Sequence, residues 1–535
     1  MRKPDVSRIL LRMRDKDGRK GVYAEWDAYL TVFLSLCLPV ILSLLLVLLE
    51  GARMSAIRMQ IEVTADTAAD SVLAEYHKEL MEQYDLLMID TSYGTDSPAV
   101  SNTEAHLESY MEKNFSAEGS LWSSTQDFTG LSVDAVSILE TRFAADNDAE
   151  ALREQIYAYY AAEPLEAVLA EILADIDTFD GLSLDTTLWS TLKEENEAEL
   201  KEQVQEAQEE AAQEEAAESD PDSLTQSGET SEEEDDTAQS QAQELVESQG
   251  ISAADFSDIY STLDQLMSLP ILTQLFGDTS SLSQSEIDGS QVLSGRTVHT
   301  GDAYRAENSH DYEEADAILF DVYAAEKCGS YVNQLDKSVL KYQLEYILYG
   351  KETDLENLEK TAETILAIRL AANLVTILQD TEKMELAEAL GTALAFLCFM
   401  QEELQPLFKT AVVLIWTYME SLADVRALLG GEEVPLIKSS SQWKTSLASA
   451  FAGAAEVSSG ESGLNYETYL QILLYLESGS TKNYRLMDLM EMDIRATEGN
   501  ENFQMDWCMD AFEMEAVVSS SYGYSYTVFK EATYN

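Results

Sequence analysis

Between Asp27 and Glu50 the chain has 22 successive residues without a charged side chain. As an α-helix rising 1.5 Å per residue, this stretch is roughly 33 Å long, which is enough to cross the hydrocarbon core of a bilayer. The apolar region of a secretory signal usually has only about 7 to 15 residues, and a small-residue cleavage site follows it. Here Glu50, Gly51 and Arg53 follow instead. The pattern therefore favours a retained transmembrane helix over residues 28–49, ahead of a cleaved signal or a buried core helix.

The charges on the two sides of this segment predict its orientation. Residues 1–20 contain eight Lys or Arg and three Asp, and short basic flanks of this kind stay in the cytoplasm. Beyond residue 59 the chain carries 93 acids and 23 bases. We therefore expect a single-pass protein of the cell membrane, with a cytoplasmic basic tail at 1–27 and a large acidic C-terminal domain outside the cell.

The composition limits what the outer domain binds. At 45% hydrophobic residues the chain can bury a core, and its length indicates more than one sub-domain. A formal net charge of −66 argues against nucleic acid, because phosphate binding needs a basic face. The four cysteines lack CxxC spacing, so they indicate neither a zinc site nor a disulfide framework. We expect no cofactor and no metal, and we do not expect a small-molecule substrate.

Residues 50–90 continue the helical pattern beyond the membrane. Glu50, Gly51 and Arg53 form a candidate membrane-exit motif. Apolar residues then recur at every third or fourth position, which is the period of one helix face. These positions are Ile61, Ala65, Ala68, Val72, Tyr76, Leu80, Tyr84 and Leu87. The transmembrane helix is thus predicted to continue outward as an amphipathic stalk helix.

The next two segments differ sharply in composition. Residues 91–193 contain a strand-like stretch at 131–139 and a helical pattern at 149–175, which Pro164 is expected to bend or divide. We therefore expect a first extracellular α+β part. Residues 194–250 contain 21 acids, one Lys and no aromatic residue. Such a segment buries too little apolar surface to order itself, and we interpret it as an acidic low-complexity spacer. Its first half, through Ala217, is rich in helix formers and typical of a solvated helix.

The C-terminal half is predicted to be mainly helical. Residues 251–460 contain long stretches of Leu, Ala, Ile and Val with few helix breakers, which is typical of a helical bundle. In residues 461–535, two short helices precede alternating apolar and polar residues around a Ser-rich turn, which predicts a C-terminal β-hairpin. The alternation of Phe503, Met505 and Trp507 predicts the beginning of another strand. The fold class expected for the whole chain is α+β, predominantly helical.

One cation in the predicted bundle needs a partner. Arg369 lies in an apolar helical stretch, where a charged group must reach water or pair with a carboxylate. Glu420 and Asp424 lie four residues apart on one face of the apolar helix predicted at 404–429. We expect Arg369 to form an ion pair with at least one of them. A metal site at this acid pair is the less favoured alternative, since no His accompanies it.

The sequence contains no motif that would indicate an enzyme. It has no GxSxG elbow, Walker A loop or dinucleotide-binding glycine fingerprint. Ser441 and Lys444 match an SxxK pattern, but the companion motifs SDN and KTG are absent. His299 and His310 lie in a polar segment, where surface exposure is expected more often than metal binding. We therefore expect a protein without enzymatic activity.

Three blocks near the N-terminus resemble a known group of proteins. The first is Thr31-Val32-Phe33-Leu34-Ser35-Leu36, at the start of the apolar stretch. Leu49-Glu50-Gly51-Ala52-Arg53 follows the apolar stretch, and Ala65-Asp66-Thr67-Ala68-Ala69-Asp70-Ser71-Val72-Leu73 follows on the stalk. Together they are similar to the amino ends of TadE and TadG proteins of the tight-adherence (Flp) pilus system. The whole chain resembles an uncharacterised family of Gram-positive membrane proteins that share this beginning. The blocks that carry this second resemblance are 342–351, 416–426, 434–438 and 485–490.

The resemblance implies a membrane-anchored extracellular scaffold or assembly protein of a tight-adherence pilus or envelope complex. Its expected partners are the membrane and other pilus-assembly or envelope proteins. Prepilin peptidases recognise a Gly with a Glu at the fifth position after it, whereas here Glu25 is at the fourth position after Gly21. An uncleaved, TadG-like anchored protein is therefore favoured over a processed pilin. The alternative function is an extracellular adhesin or ligand-binding module unrelated to pili.

Overall fold

The structure is a computed structural model, and it describes ten stretches of the chain. These are residues 22–115, 130–161, 166–181, 185–218, 242–248, 259–301, 314–399, 404–453, 463–477 and 479–534. The described chain is predominantly helical with one small sheet, so the predicted α+β class is confirmed.

The helices and strands follow one another in this order. They are α1 (Val22–Leu73), α2 (Lys78–Tyr84), β1 (Ile89–Asp90), α3 (Val100–Phe115), β2 (Leu131–Phe143), α4 (Asp146–Ala161), α5 (Glu166–Gly181), α6 (Leu188–Glu218), α7 (242–248), α8 (Ile259–Met267), α9 (Ile271–Phe276), α10 (Glu314–Lys327), α11 (Gln343–Tyr349), α12 (Asp354–Gln379), α13 (Thr381–Phe399), α14 (Gln405–Leu429), α15 (Leu447–Phe451), α16 (Tyr466–Leu476), α17 (Gly479–Arg495), β3 (Cys508–Ser520) and β4 (Ser525–Thr533).

The chain divides into two compact units. The first unit consists of Met1–Ala74, Thr103–Leu139 and Glu513–Ala532. The second unit consists of Glu75–Asn102, Glu140–Phe512 and Thr533–Asn535. The first unit therefore contains α1, and the second contains the helices from α4 to α17.

The first unit is built on the long helix α1. Between Leu30 and Leu49 nearly all of its side chains are exposed, although they are apolar. The helix is long and apolar enough there to cross a membrane, and Pro39 does not interrupt it. Further along, one side of α1 becomes buried at helical spacing, at Ile57, Ile61, Ala65, Ala68 and Val72. A helix that is apolar all round thus continues into an amphipathic one.

All four strands belong to one sheet, in which β3 pairs with each of the others. β1 is antiparallel to the start of β3, with Ile89 opposite Met509. β3 and β4 form a hairpin, whose turn is closed by a bond of 2.7 Å from Ser520 N to Tyr524 O. The predicted C-terminal hairpin is confirmed. The further strand predicted around Trp507 is wrong, because Met505–Trp507 form a 3₁₀ turn in which Trp507 N donates to Gln504 O.

In the second unit, α12, α13 and α14 pack together, and α6 packs against α14. The helix α12 begins at a Thr353 cap, whose side chain accepts a hydrogen bond from Glu356 N. By length and composition α12 could also cross a membrane, but 72% of its most apolar window is buried inside the structure. The helix α14 is likewise buried along nearly its whole length. Both are therefore core helices of this unit.

The stalk helix expected over residues 50–90 ends early. The helix α1 stops at Leu73, and a short helix α2 and the strand β1 follow. The side chain of His77 caps α2 by accepting a hydrogen bond from Leu80 N, and the backbone N of His77 donates to Met88 O at 2.8 Å. The chain therefore folds back on itself instead of extending outward, so the single-helix prediction is wrong beyond Leu73.

The two ends of the acidic spacer expected over residues 194–250 are ordered and packed. Residues 188–218 form α6, in which Trp189 and Leu200 are buried. Residues 242–248 are also helical, and Val246 in them is buried. The helix expected through Ala217 is present in α6. Leu200 packs into the core, while most residues from Glu194 to Glu206 are exposed or half-buried. Residues 219–241 lie outside the described residues.

The helix predicted over 149–175 is divided in the structure. The helix α4 ends at Ala161 and α5 begins at Glu166. Pro164, which the sequence places at the division, lies outside the described residues.

Candidate functional site

The membrane-exit motif lies where the exposed half of α1 ends. Glu50 is the first charged residue after Leu49, and Arg53 follows one turn later. Arg53 Nη1 lies 3.2 Å from Glu50 Oε2, so the two opposite charges compensate each other at the end of the apolar stretch. A Cβ atom at Gly51 would meet no atom within 4 Å. The surrounding atoms would therefore leave room for a larger side chain at position 51.

Both charged residues of the motif contact the turn between β3 and β4. Tyr524 Oη donates a hydrogen bond of 2.6 Å to Glu50 Oε1. The guanidinium carbon of Arg53 lies 4.1 Å from the centre of the Tyr522 ring, which is a cation–π contact. The hydrogen bond to Glu50 raises the pKa of Tyr524. No local pattern in the sequence indicates these two tyrosines, because Tyr524 is 474 positions away from its partner along the chain.

A second contact shows how β4 runs along α1. Lys530 Nζ lies 2.7 Å from Asp66 Oδ1. From Glu50 to Asp66 an α-helix rises by roughly 24 Å, and from Tyr524 to Lys530 a strand extends by about 20 Å. The two distances agree, so β4 lies lengthwise on α1 with the hairpin turn at the end next to the apolar stretch.

The predicted partners of Arg369 belong to a buried group that we call the bundle charge cluster: Arg369, Asn373, Glu420, Asp424 and Lys438. Arg369 on α12 donates to Asp424 Oδ2 on α14 from Nε at 3.0 Å and from Nη2 at 2.8 Å. Its Nη1 donates to the carbonyl oxygens of Pro435 and Leu436 at 2.9 and 2.8 Å. The structure thus places Arg369 in an ion pair with Asp424.

Glu420 pairs with Lys438 and not with Arg369. Lys438 Nζ forms short ion pairs with both Glu420 Oε1 and Asp424 Oδ1. Glu420 Oε2 also accepts a hydrogen bond of 2.7 Å from Thr445 N. Lys438 was not predicted from the sequence. The signal for it was present, because two carboxylates on one helix face need more than the single charge of Arg369, and Lys438 ends a short apolar segment.

The bundle charge cluster is internally balanced and closed to solvent. It contains two cations and two carboxylates, and all of its members are buried. Burial by itself lowers the pKa of Arg369, but Tyr469 and Asp424 outweigh it, so the net shift is upward. The carboxylate oxygens that a metal would need already accept bonds from Arg369, Lys438 and the backbone. The cluster therefore joins α12, α14 and residues 434–445 inside the core of the second unit.

Two further arginines in the second unit are also each paired with two carboxylates. Arg142 makes a two-bond contact with Asp510 at 2.9 and 2.6 Å, and it also bonds Glu154 at 2.7 Å. Arg296 bonds Glu491 and Asp506. The partners in these clusters are separated by up to several hundred positions, so no local pattern in the sequence indicates them.

Glu345 on α11 is a buried acid of a different kind. Its Oε1 accepts bonds from Tyr331 N at 2.8 Å and Tyr466 Oη at 2.7 Å, while Oε2 has no hydrogen-bond partner among the described residues. Burial raises the pKa of Glu345 to about 7, although the bond from Tyr466 opposes this shift. Glu345 therefore titrates near neutral pH, inside a closed core.

An apolar cavity of about 560 Å³ opens on the second unit. Leu263 and Leu266 of α8, Ile415 and Met419 of α14, and Phe451 contribute to its lining. Its volume falls within the usual range of small-ligand sites, but such sites also carry a few convergent polar groups. Gln265 is the one residue with a polar side chain among those that line this cavity in the described part of the chain.

The histidines and the SxxK pattern do not form a reaction centre in the described residues. The ring of His299 stacks on Trp507, with centroids 3.6 Å apart. His310 lies outside the described residues. Ser441 lies in a 3₁₀ turn, 3.1 Å from Ser439 Oγ. Within the stretches that the structure describes, no group of three or more His, Cys, Asp or Glu residues is arranged to hold a metal ion.

The chain matches a model of a known protein family. A model described as "Family of unknown function (DUF5702)" matches residues 250–520. This range contains the bundle charge cluster, Glu345 and the apolar cavity, and it ends at the last residue of β3. No curated protein and no solved structure matches the chain.

Proposed function

The chain belongs to the family of unknown function DUF5702, and from this premise we propose that it is a membrane-anchored extracellular scaffold. In this proposal it assembles or presents a tight-adherence (Flp-type) pilus or a related envelope complex, and it has no enzymatic activity. The observation that carries the proposal is the helix α1, whose apolar half is exposed while its other half is fixed to a sheet.

The exposed half of α1 supports membrane attachment. Single exposed apolar residues are ordinary on a protein surface, but a continuous apolar helix surface of this length is costly in water. Lipid is the environment that removes this cost. The basic residues 1–20 and the acidic remainder support an N-terminus in the cytoplasm and a body outside the cell.

The connection between the membrane segment and the rest of the first unit supports a positioning role. The helix α1 continues without interruption from Leu49 to Leu73, and β4 is attached to it at Glu50 and Asp66. A sheet held in this way keeps a fixed height above the membrane, which a flexible linker would not provide. Such geometry suits a protein that presents a surface to neighbouring subunits.

The buried charges support a role without enzymatic catalysis. In each cluster described above, the cations are bonded to carboxylates and carbonyl oxygens inside the protein. A catalytic acid or base must reach its substrate. Groups that are closed to solvent and already paired instead specify how helices pack.

The first test locates the protein in cells of the source organism. We expect the full chain to stay with membranes in alkaline carbonate, and protease added to intact cells to remove the C-terminal body. Mass spectrometry of the membrane-bound protein should show an intact N-terminus. Release by carbonate, or a body that intact cells protect from protease, would contradict the anchored topology. A mature N-terminus at Val22 would convert the scaffold into a processed pilin-like subunit.

The second test addresses the pilus itself. Deletion of the gene is expected to reduce surface fibres seen by negative-stain electron microscopy, and the wild-type chain should restore them. Leu44→Arg, which places a charge in the apolar half of α1, should fail to restore them. A matched control is Glu363→Ala, which removes an exposed acid of α12 and should restore fibres fully. Unchanged fibres in the deletion strain would refute a role in pili.

A second candidate function rests on the apolar cavity beside α8 and α14. An extracellular adhesin or ligand-binding module would use such a cavity to hold an external ligand. In that case the deletion strain keeps its fibres but adheres less to a host or matrix surface. Filling the cavity with Leu266→Trp would then reduce adhesion in the same way, whereas a pilus scaffold would tolerate this change.

A further inference from the structure

The structure fixes the height of the β3–β4 turn relative to the apolar half of α1. Leu49, the last residue of the uncharged stretch, is 59% exposed, and Glu50 is the next residue. Because Tyr524 Oη bonds to Glu50 and Tyr522 stacks under Arg53, the turn lies within about one helical turn of Leu49, or roughly 5 Å.

The composition of the hairpin differs from that of the rest of this acidic protein. Residues 516–529 contain no charged side chain, although the chain has 99 acids in 535 residues. They contain three tyrosines, Tyr522, Tyr524 and Tyr526, and Tyr522 is 43% exposed. Charged residues resume at Lys530, which pairs with Asp66 on α1. The uncharged end of the hairpin therefore lies at the apolar end of α1, and the charged end lies farther along α1.

Tyrosine suits the boundary between lipid and water. Its ring is apolar and its hydroxyl group is polar, so tyrosines are enriched at the level of the lipid headgroups. Acidic side chains are unfavourable next to an anionic lipid surface. The β3–β4 turn contains tyrosines and no acids, and it lies at the height where α1 would leave the membrane. Both its composition and its position therefore fit the boundary between lipid and water.

We propose that the β3–β4 turn, residues 521–524, rests in the headgroup layer of the bilayer that α1 crosses, with Tyr522 in contact with lipid. This proposal depends on the membrane anchoring proposed above and adds a second membrane contact to it. The turn and α1 then hold the first unit at two points, which restricts its tilt relative to the membrane. The tyrosines act as interfacial anchors and take no part in chemistry.

The test uses the full chain in phospholipid vesicles and a photoreactive amino acid, p-benzoylphenylalanine. It is introduced at Tyr522, at Leu44 and at Phe529, one position per variant. The vesicles contain phosphatidylglycerol and phosphatidylethanolamine, with a small fraction of alkyne-tagged lipid for detection. Phe529 is a matched aromatic control because it is 53% exposed on the same hairpin, about 16 Å farther from the membrane than Tyr524.

We expect the Leu44 and Tyr522 variants to form lipid adducts after illumination, and the Tyr522 signal to exceed the Phe529 signal at least about fivefold. A lipid adduct at Leu44 with none at Tyr522 would overturn the proposal while leaving the anchor intact. Loss of the adduct at Leu44 would instead contradict the anchor itself. Equal lipid labelling at Tyr522 and Phe529, or protein–protein adducts at Tyr522 in place of lipid adducts, would also overturn the proposal.

Discussion

The apolar half of α1 and the helix α12 are alike in composition and opposite in environment. Both are long and apolar enough to cross a membrane. The most apolar window of α1 is 0% buried inside the structure, whereas that of α12 is 72% buried. Apolar composition alone therefore does not separate a lipid-facing helix from the core helix of a soluble unit.

The difference between the two helices lies in where they hold charge. In α1 the charged residues lie outside the apolar stretch, with Asp27 just before it and Glu50 and Arg53 just after it. In α12 a fully buried Arg369 lies in the middle, satisfied by Asp424 and two backbone carbonyl groups. A lipid-facing helix surface has no such partners. A mid-helix charge with protein partners thus marks the core helix.

The largest expected effect comes from making the same substitution in both helices. Leu374→Arg in α12 places an unpaired cation at a site that is 1% exposed, and we expect it to cost more than about 4 kcal/mol of unfolding free energy. Leu44→Arg in α1 should leave the second unit stable and instead disfavour membrane insertion by about 3 kcal/mol.

Chemical denaturation in detergent, followed by the fluorescence of the buried tryptophans, measures the first effect. Carbonate extraction measures the second. If Leu374→Arg were tolerated and Leu44→Arg unfolded the second unit, the assignment of the two helices to protein core and lipid would be reversed.

The next largest effect measures how much the buried charges contribute to the unfolding free energy. Asp424→Ala removes the carboxylate that Arg369 and Lys438 share, so two cations stay buried with less compensation. Breaking a buried pair in this way costs about 3 to 5 kcal/mol. Glu363→Ala is a suitable control, because it breaks a pair with Lys360 on the same helix α12 in which both side chains are about half exposed. An exposed pair contributes at most about 1 kcal/mol.

Urea denaturation of both variants measures how much unfolding free energy each one loses. Equal losses for Asp424→Ala and Glu363→Ala would mean that the bundle charge cluster does not hold α12 and α14 together. A double variant, Asp424→Ala with Arg369→Met, should recover part of the loss, because it removes one of the two uncompensated cations.

The sequence predicted those features that depend on local patterns. The uncharged stretch, the helical periods of the bundle and the alternation in the last hairpin are repeated over many residues, and the structure has α1, α12, α14, β3 and β4 at these places. The pairing of Arg369 could be predicted because a buried charge needs a partner and few acids lie on an apolar helix face.

The features that escaped prediction depend on contacts between distant parts of the chain. Nothing near Glu50 indicates Tyr524, and nothing near Arg142 indicates Asp510. The early end of α1 was missed because the apolar period continues past Leu73, into residues that fold back as α2. The packing of Leu200 in the acidic segment was missed because it is a single buried apolar side chain without a repeated pattern around it.

A smaller effect concerns Glu345, a buried acid that forms no ion pair with any of the residues that the structure describes. The pKa of Glu345 is about 7 in the folded protein and 4.5 in its ordinary state. Between these values the folded state binds more protons than the unfolded state, so the contribution of Glu345 to stability falls as the pH rises from about 4.5 to about 7 and is level above that. Glu345→Gln should abolish this part of the pH dependence.

The measurement is the unfolding free energy of wild type minus that of Glu345→Gln, determined at several pH values, since the other acids cancel in the difference. Tyr466→Phe provides a sharper check. It removes a hydrogen bond that lowers the pKa of Glu345, so the pH window should move upward. A difference that does not change with pH would show that Glu345 stays ionised in the core.

The smallest expected effect concerns the hydrogen bond between Tyr524 and Glu50, just beyond the apolar stretch of α1. Tyr524→Phe removes the hydrogen bond to Glu50 and keeps the ring, so global stability should stay within error while amide hydrogen exchange increases in the turn at 521–524. Ser519, which bonds Asp134 at 2.8 Å on an exposed face of the same sheet, offers a control: Ser519→Ala should leave exchange at the turn unchanged. Because Tyr524 and Glu50 are held together at the surface, local opening is the quantity that reports on their bond. If Tyr524→Phe instead lowered global stability as much as Asp424→Ala does, the contrast between a surface attachment at α1 and a buried charge network at α12 would be lost.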